Sequence, residues 1–325
     1  MLESTGAICM AVYKPDPRLL ARQVSSIRNQ SVENWACIVG IDGSDAASRR
    51  ILAELTADDD RFIIHEFFDR VGFYHNFERV LALVDSGVRW VALADQDDVW
   101  YPEKLEVLLK HLGSGSMVLG QARLVRLNES TPETCYLGTT HRSFSNTSEL
   151  ILDNVVSGAL SVFRSDVLAS ALPFPRKTDV AYHDHWLGLC AALEGGIVTV
   201  PDVVQDYVQH DRNVIGEEMA PSNVARLRSL LRRLPSLLGA VPYVVNHRWR
   251  WRVYMARLAL HRFPQMKPVD RLVLEAFAAD RPSFRLLHLS ISAAWKGRSS
   301  KFRVLSLGIA SIFAPVIAEE VQVEA

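Results

Sequence analysis

Three carboxylates crowd into four residues of this chain, Asp95, Asp97 and Asp98 in the run WVALADQDDVW from Trp90 to Trp100. Like charges at that spacing repel, and a hard cation such as Mg²⁺ or Mn²⁺ relieves the repulsion. Carboxylate and phosphate oxygens together complete the octahedral shell that such ions take. Asp98 has a second reading, as the cap of a helix that Pro102 would open in its first turn. A further constellation lies downstream, where Asp184 stands between His183 and His185 ahead of the apolar helix Leu187–Leu193. A carboxylate there can take a proton from a hydroxyl or can simply cap the helix. His210 and Arg212 follow in YVQHDRN. The lone histidine reads as a hydrogen-bonded structural residue, the arginine as a bidentate phosphate partner or a surface cation.

These groups need elements to hold them. Trp90–Ala94 is an apolar run short enough for one buried strand. Ahead of it come strand Ala7–Tyr13, a helix begun at Asp16-Pro17 with Leu20, Val24 and Ile27 as its stripe, and strand Trp35–Ile41. Asp45 opens a helix through Leu55, Phe62–His65 is a third strand, and Phe77, Val80, Leu81 and Val84 mark a helix after Gly72. With helix Pro102–Leu112 the alternation runs four times, which predicts an α/β fold, a mostly parallel sheet flanked by helices. Asp42 and Asp95–Asp98 then share the rim at the strands' carboxyl ends, where open sheets bind ligands. A nucleotide would lie along it.

Beyond Met117 the pattern loosens. Met117–Val125, Val155–Phe163 and Ile197–Val200 read as strands, Ser165–Leu172 as a helix, and Asn128–Ser148 as polar and irregular. The 325 residues suggest two domains, 1–220 and a helical region 221–325, in an ordinary globular composition of 49% apolar and 22% charged residues. Cys9, Cys37, Cys135 and Cys190 have no paired spacing and read as reduced core residues. Neither a signal segment nor a membrane-spanning run is expected. After Pro221, arginines at 226, 228, 232, 233, 248, 250, 252, 257 and 262 interleave with apolar residues. With Trp249 and Trp251 on another face they would suit an anionic membrane surface, or they are the solvated side of a helical cap. Nucleic acid is not expected, because no binding motif accompanies the charge.

Seven pieces in order resemble the family-two glycosyltransferases of GT-A fold, and most of all their bacterial rhamnosyltransferase-like branch. They are AVY (Ala11–Tyr13), SIRNQS (Ser26–Ser31), DGSD (Asp42–Asp45), DQDDVWYPEKL (Asp95–Leu105), NVVSGALSVF (Asn154–Phe163), HDHW (His183–Trp186) and YVQHDRNVIG (Tyr207–Gly216). Two positions depart from the family pattern: Lys14 follows Tyr13 where asparagine is usual, and Ile41 replaces an acid before Asp42. The resemblance implies an inverting, metal-dependent transfer from a nucleotide sugar, dTDP-rhamnose or a UDP-hexose, to a hydroxyl of a cell-surface or lipid-linked glycan. It implies a cytoplasmic enzyme, peripheral at the inner face of the membrane. Asp97 would bind Mg²⁺ or Mn²⁺ with His210, and Asp98 would be a second ligand or a cap. Asp95 would contact ribose or metal, Asp42 the base edge, Gly72 and Asn76 the base or ribose, and Arg212 the diphosphate. Ala11 and Tyr13 would line the same donor site, and Asp184 would be the general base. Two rival functions remain: a sugar nucleotidyltransferase, against which stands the lack of a Gly-rich, basic loop after the first strand, and a non-catalytic glycan- or membrane-binding scaffold, against which stands the Asp95, Asp97 and Asp184 set.

Overall fold

The computed structural model describes residues 5–127, 134–175, 181–210 and 249–278, with Leu286, His288, Leu289, Ile291, Ser292 and Leu307. Arg212, the arginines at 226, 228, 232, 233 and 248, and most of the apolar run 304–317 lie outside them. The chain divides into two compact units. One is Met1–Phe144 with Val155–Phe174 and His183–Val214; the other is Ser145–Asn154 with Pro175–Tyr182 and Ile215–Ala325.

The first unit opens with β1 (Gly6–Val12), α1 (Pro17–Arg28), β2 (Trp35–Asp42), α2 (Ala46–Thr56), β3 (Phe62–Phe67), α3 (Phe73–Leu81) and β4 (Trp90–Ala94). β1 and β4 are apolar along their whole length and almost wholly buried, as strands covered on both faces require. The four strands pair in parallel in the order β3-β2-β1-β4. Asp16 caps α1 by accepting from the Arg18 N–H at 2.9 Å, with Pro17 behind it. Asp45 caps α2. At the start of α3 stands Gly72 with φ 82°, a left-handed conformation that a side chain would resist.

After β4 the acidic turn leads into β5 (Val99–Trp100) and α4 (Lys104–Leu112), followed by β6 (Met117–Leu127) and β7 (Thr134–Thr139). Then come α5 (Thr147–Leu152), β8 (Ser161–Arg164), α6 (Val167–Ala171), α7 (His183–Glu194) and β9 (Ile197–Gln209). β8 runs antiparallel between β4 and β6, β9 lies parallel to β6, and β5 closes the edge antiparallel to β9. The sheet order is β3-β2-β1-β4-β8-β6-β9-β5, with β7 on β6.

Four expectations change here. Because α4 starts at Lys104, with Glu103 in the capping position, Asp98 is not its cap. Only the end of Val155–Phe163 is strand; Gly158–Leu160 forms a 3-10 turn. β7 arises inside the stretch expected to be irregular, an edge strand whose Tyr136 is 61% exposed. Three cysteines are buried and free as expected, whereas Cys135 is free but exposed on β7.

In the second unit α5 is capped by Asn146, which accepts from the Glu149 N–H and donates to its carboxylate, both at 3.0 Å. α8 (Trp251–Arg262) and α9 (Pro268–Ala278) follow. Trp249 and Trp251 are 2% and 0% exposed, so these two rings form this unit's core and not a membrane-facing stripe. Arg252 is buried as well, donating to the Leu152 carbonyl at 2.6 Å. No helix among the described residues is long and apolar enough to cross a membrane.

Candidate active site

The acidic turn leaves β4 at the rim of the sheet, and its carboxylates part company. Asp97 points to His210 at the end of β9, with Oδ2 and Nε2 2.8 Å apart and both side chains partly open. Asp98 turns inward and is fully buried. Its oxygens accept from the Gln205 amide at 2.7 Å and the Val208 N–H at 3.2 Å. Gln205 in turn accepts from the ammonium of buried Lys104 at 2.6 Å, which also donates to the Ala159 carbonyl and lies 3.6 Å from the Trp100 ring centre. Burial draws the Asp98 carboxyl up and the Lys104 ammonium down, both toward neutrality, while their mutual attraction opposes it. Asp95 is pushed up to about 7 by burial first, then by the charges of Asp97 and Asp184, against the pull of Lys104.

Gln96 bridges the turn to the end of β1. Its carbonyl accepts from the Tyr13 N–H at 2.8 Å, and its amide donates to the Tyr13 carbonyl at 3.2 Å. The ring of Tyr13 lies under the Arg70 guanidinium, 4.3 Å from its centre. Ala11 is in register with Gly40 of β2 and half-buried. At the end of β2, Asp42 accepts the Val71 and Gly72 N–H groups, each at 2.8 Å, and pairs with Arg79 at 2.9 Å. Asn76 donates to the Gly40 carbonyl at 2.8 Å and accepts from Arg79 at 3.2 Å. Asp42, Gly72 and Asn76 thus meet in one network that shapes the loop between β3 and α3.

Asp184 occupies the first turn of α7, one residue inside the helix start at His183. Its charge acts on Asp95 and on Arg142. Arg142 comes from the loop after β7, partly buried, donating to the Val155 carbonyl at 2.9 Å. Burial draws its guanidinium down, with the Asp184 charge the main opposition. The His183 ring stacks on Phe77 at 4.1 Å and meets Phe73 edge-on at 6.0 Å. Burial pushes it down to about 3, so it is neutral at physiological pH. Gly158 makes this packing possible: a Cβ there would lie 3.0 Å from His183 Nε2 and 2.9 Å from Leu93 Cδ1.

Sequence reasoning missed Gln96, Lys104, Arg142 and Arg70. Gln96 and Lys104 stand inside the acidic motif, where the signal was available, but nothing in the irregular stretch around Arg142 points to a site. Among the described residues no three His, Cys, Asp or Glu side chains converge as a ready cation cage. The rim instead offers Asp97 and His210 as a pair, beside Asp95 held among like charges. Two protein ligands with the rest left to phosphate oxygens and water is an arrangement that Mg²⁺ and Mn²⁺ accept.

The family model described as Glycosyl transferase family 2 matches residues 7–169. An uncharacterized protein of Sinorhizobium fredii is 28% identical over 105 residues, 32% of this chain and 11% of that protein. The chain therefore spans about a tenth of the length of that curated relative. The crystal structure of S. aureus TarS residues 1–349 in complex with UDP-GlcNAc superposes with a TM-score of 0.54 at 12% identity, covering 95% of this chain and 90% of that one. A longer S. aureus TarS structure gives 0.53 at 12% identity, covering 94% of this chain and 55% of that one. These likenesses identify the sheet as a GT-A-like α/β fold.

Proposed function

The chain belongs to glycosyl transferase family 2, and from that membership we propose that it moves a sugar, with inversion, from a nucleotide-sugar donor to a hydroxyl of a glycan or lipid-linked glycan. The observation that carries this reading is the Asp97–His210 pair, 2.8 Å apart beside the acidic turn, with the Asp184 charge acting on neighbouring Asp95.

Asp184 takes the acceptor's hydroxyl proton while that oxygen bonds to the anomeric carbon. The bond from that carbon to the diphosphate breaks on the opposite face, and the nucleoside diphosphate leaves. Arg142 lies within reach of the Asp184 charge and would help to position that carboxylate. Asp97 and His210 would hold Mg²⁺ or Mn²⁺, which when bound supplies Lewis-acid stabilisation of charge on the leaving diphosphate. Asp95, between Asp97 and Asp184, is the oxygen nearest in kind to complete that set or to meet the ribose. Asp98 serves the fold and not the cation, because both its oxygens are committed to Gln205 and Val208. Tyr13, Ala11 and the Asp42, Gly72 and Asn76 network form the nucleoside end of the cleft, and Arg212 would meet the diphosphate.

The test is incubation of the full chain and Mn²⁺ with UDP-, dTDP- and GDP-sugars, UDP-GlcNAc and dTDP-rhamnose first, scoring nucleoside diphosphate release. Slow donor hydrolysis with one nucleotide class, accelerated by a glycan acceptor, is expected. Pyrophosphate release from a nucleoside triphosphate and a sugar phosphate would instead make it a nucleotidyltransferase, and no turnover of either kind would leave a scaffold.

A further inference from the structure

We infer that Lys14 is a specificity-determining residue of the donor site, its ammonium reaching an oxygen acceptor of the donor nucleotide; this rests on the glycosyl-transfer reading above. Lys14 has φ 42°, the one non-glycine residue with positive φ among those described. In that region the Cβ of an L-residue crowds the backbone, and glycine or asparagine is at ease where lysine is not. Both sides of the position are pinned. Gln96 holds the Tyr13 peptide groups, and Asp16 begins the capped helix α1 two residues later. The turn alone therefore favours asparagine or glycine, and lysine there lowers stability. Backbone strain of this kind persists at sites where the side chain is needed.

The surroundings show what that need is. Lys14 is exposed, with its Nζ 5.5 Å from the Tyr13 ring centre, and the Arg70 guanidinium stands over the same ring. Among the described residues its ammonium forms no hydrogen bond or ion pair. Asp45, whose carboxyl lies below its usual range chiefly through the Ser48 hydroxyl and least through Lys14, is already engaged by Ser48 Oγ at 2.5 Å and the Ala47 N–H at 3.2 Å. A cation facing the Tyr13 ring thus stands just past β1, where the proposed function puts the nucleoside. A compact ammonium suits a phosphate oxygen or a base carbonyl.

The experiment measures binding of UDP, dTDP, GDP and inorganic pyrophosphate by calorimetry with Mn²⁺, and thermal unfolding, for the full chain, Lys14→Asn and Lys14→Arg. Asparagine relieves the backbone, so Lys14→Asn should raise Tm by about 2 °C. It should nevertheless weaken nucleotide binding about tenfold, as loss of one charged hydrogen bond does. Lys14→Arg, which keeps the charge, should stay within about threefold of the parent. An equal loss for pyrophosphate puts the contact at the phosphates, and a loss confined to nucleotides puts it at the base; either supports the assignment. Affinity unchanged in Lys14→Asn, or equally poor in both variants, would overturn it. If the unaltered chain binds none of the nucleotides, the donor reading itself fails, and that result is separate from either variant's.

Discussion

The outward side of the acidic turn holds Asp97 against His210 at 2.8 Å, partly open, whereas the inward side holds Asp98, buried with Gln205, Val208 and nearby Lys104. These carboxylates are adjacent in the chain and differ in every partner. As the chain turns from β4 into β5, one side chain faces the rim and the next faces the core. Removal of Asp97 would take away a proposed ligand, while removal of Asp98 strands the partners that depended on it.

The largest effect expected is therefore on the fold. Asp98→Ala leaves the Gln205 amide and the Val208 N–H without their acceptor and buried Lys104 without its main counter-charge, and should cost about 3–5 kcal/mol of stability, read by urea unfolding. A variant that unfolds like the parent would erase the distinction between the two sides. Asp184→Asn should leave the fold intact, since asparagine is isosteric, but would remove the proton acceptor of the proposed transfer. Its kcat should fall about 10²–10⁴-fold with donor Kd nearly unchanged. Turnover near that of the parent at saturating substrates would remove Asp184 from the chemistry.

Smaller changes sharpen the picture. Gln96→Met keeps the length of the side chain and loses both hydrogen bonds to Tyr13, so nucleoside diphosphate affinity should drop about fivefold to tenfold. An equal affinity would mean that the turn and the nucleoside end are held together by other contacts. A further effect is on acid stability. His183 is held down to about 3 in the folded chain by burial, against about 6.5 when unfolded. Below 6.5 the unfolded state gains a proton that the folded state refuses, so this group's stabilisation is lost as pH falls toward 3. His183→Phe suits the aromatic stack with Phe73 and Phe77, and its Tm should decline less between pH 6.5 and 4. A parallel decline would show that His183 contributes nothing to the acid limb.

How far such roles can be read in advance differs between the halves of the sheet. β1 to β4 were legible because continuous apolar runs and helix caps such as Asp16 and Asp45 act locally. The acidic cluster was legible as chemistry, but not which carboxylate turns inward, since Gln205 and Val208 are more than a hundred residues away in sequence. A buried lysine at position 104 leaves no trace in periodicity, because its acceptors, Ala159 and Gln205, are distant in sequence. β7 escaped because an exposed edge strand needs no apolar alternation. The run Val155–Phe163 misled because close packing at Gly158 replaces strand pairing with a 3-10 turn.

The central claim is that Asp97 and His210 hold a divalent cation shared with the donor nucleotide. It is tested most directly by titrating UDP, dTDP and GDP, with and without Mn²⁺, into the full chain, Asp97→Ala and His210→Ala. Mn²⁺ should strengthen binding of one nucleotide by about tenfold or more in the parent, since charge-assisted ligation is among the strong polar contacts. Both variants should unfold like the parent without metal and should gain nothing from Mn²⁺. The same Mn²⁺-dependent gain in all three proteins would contradict the claim.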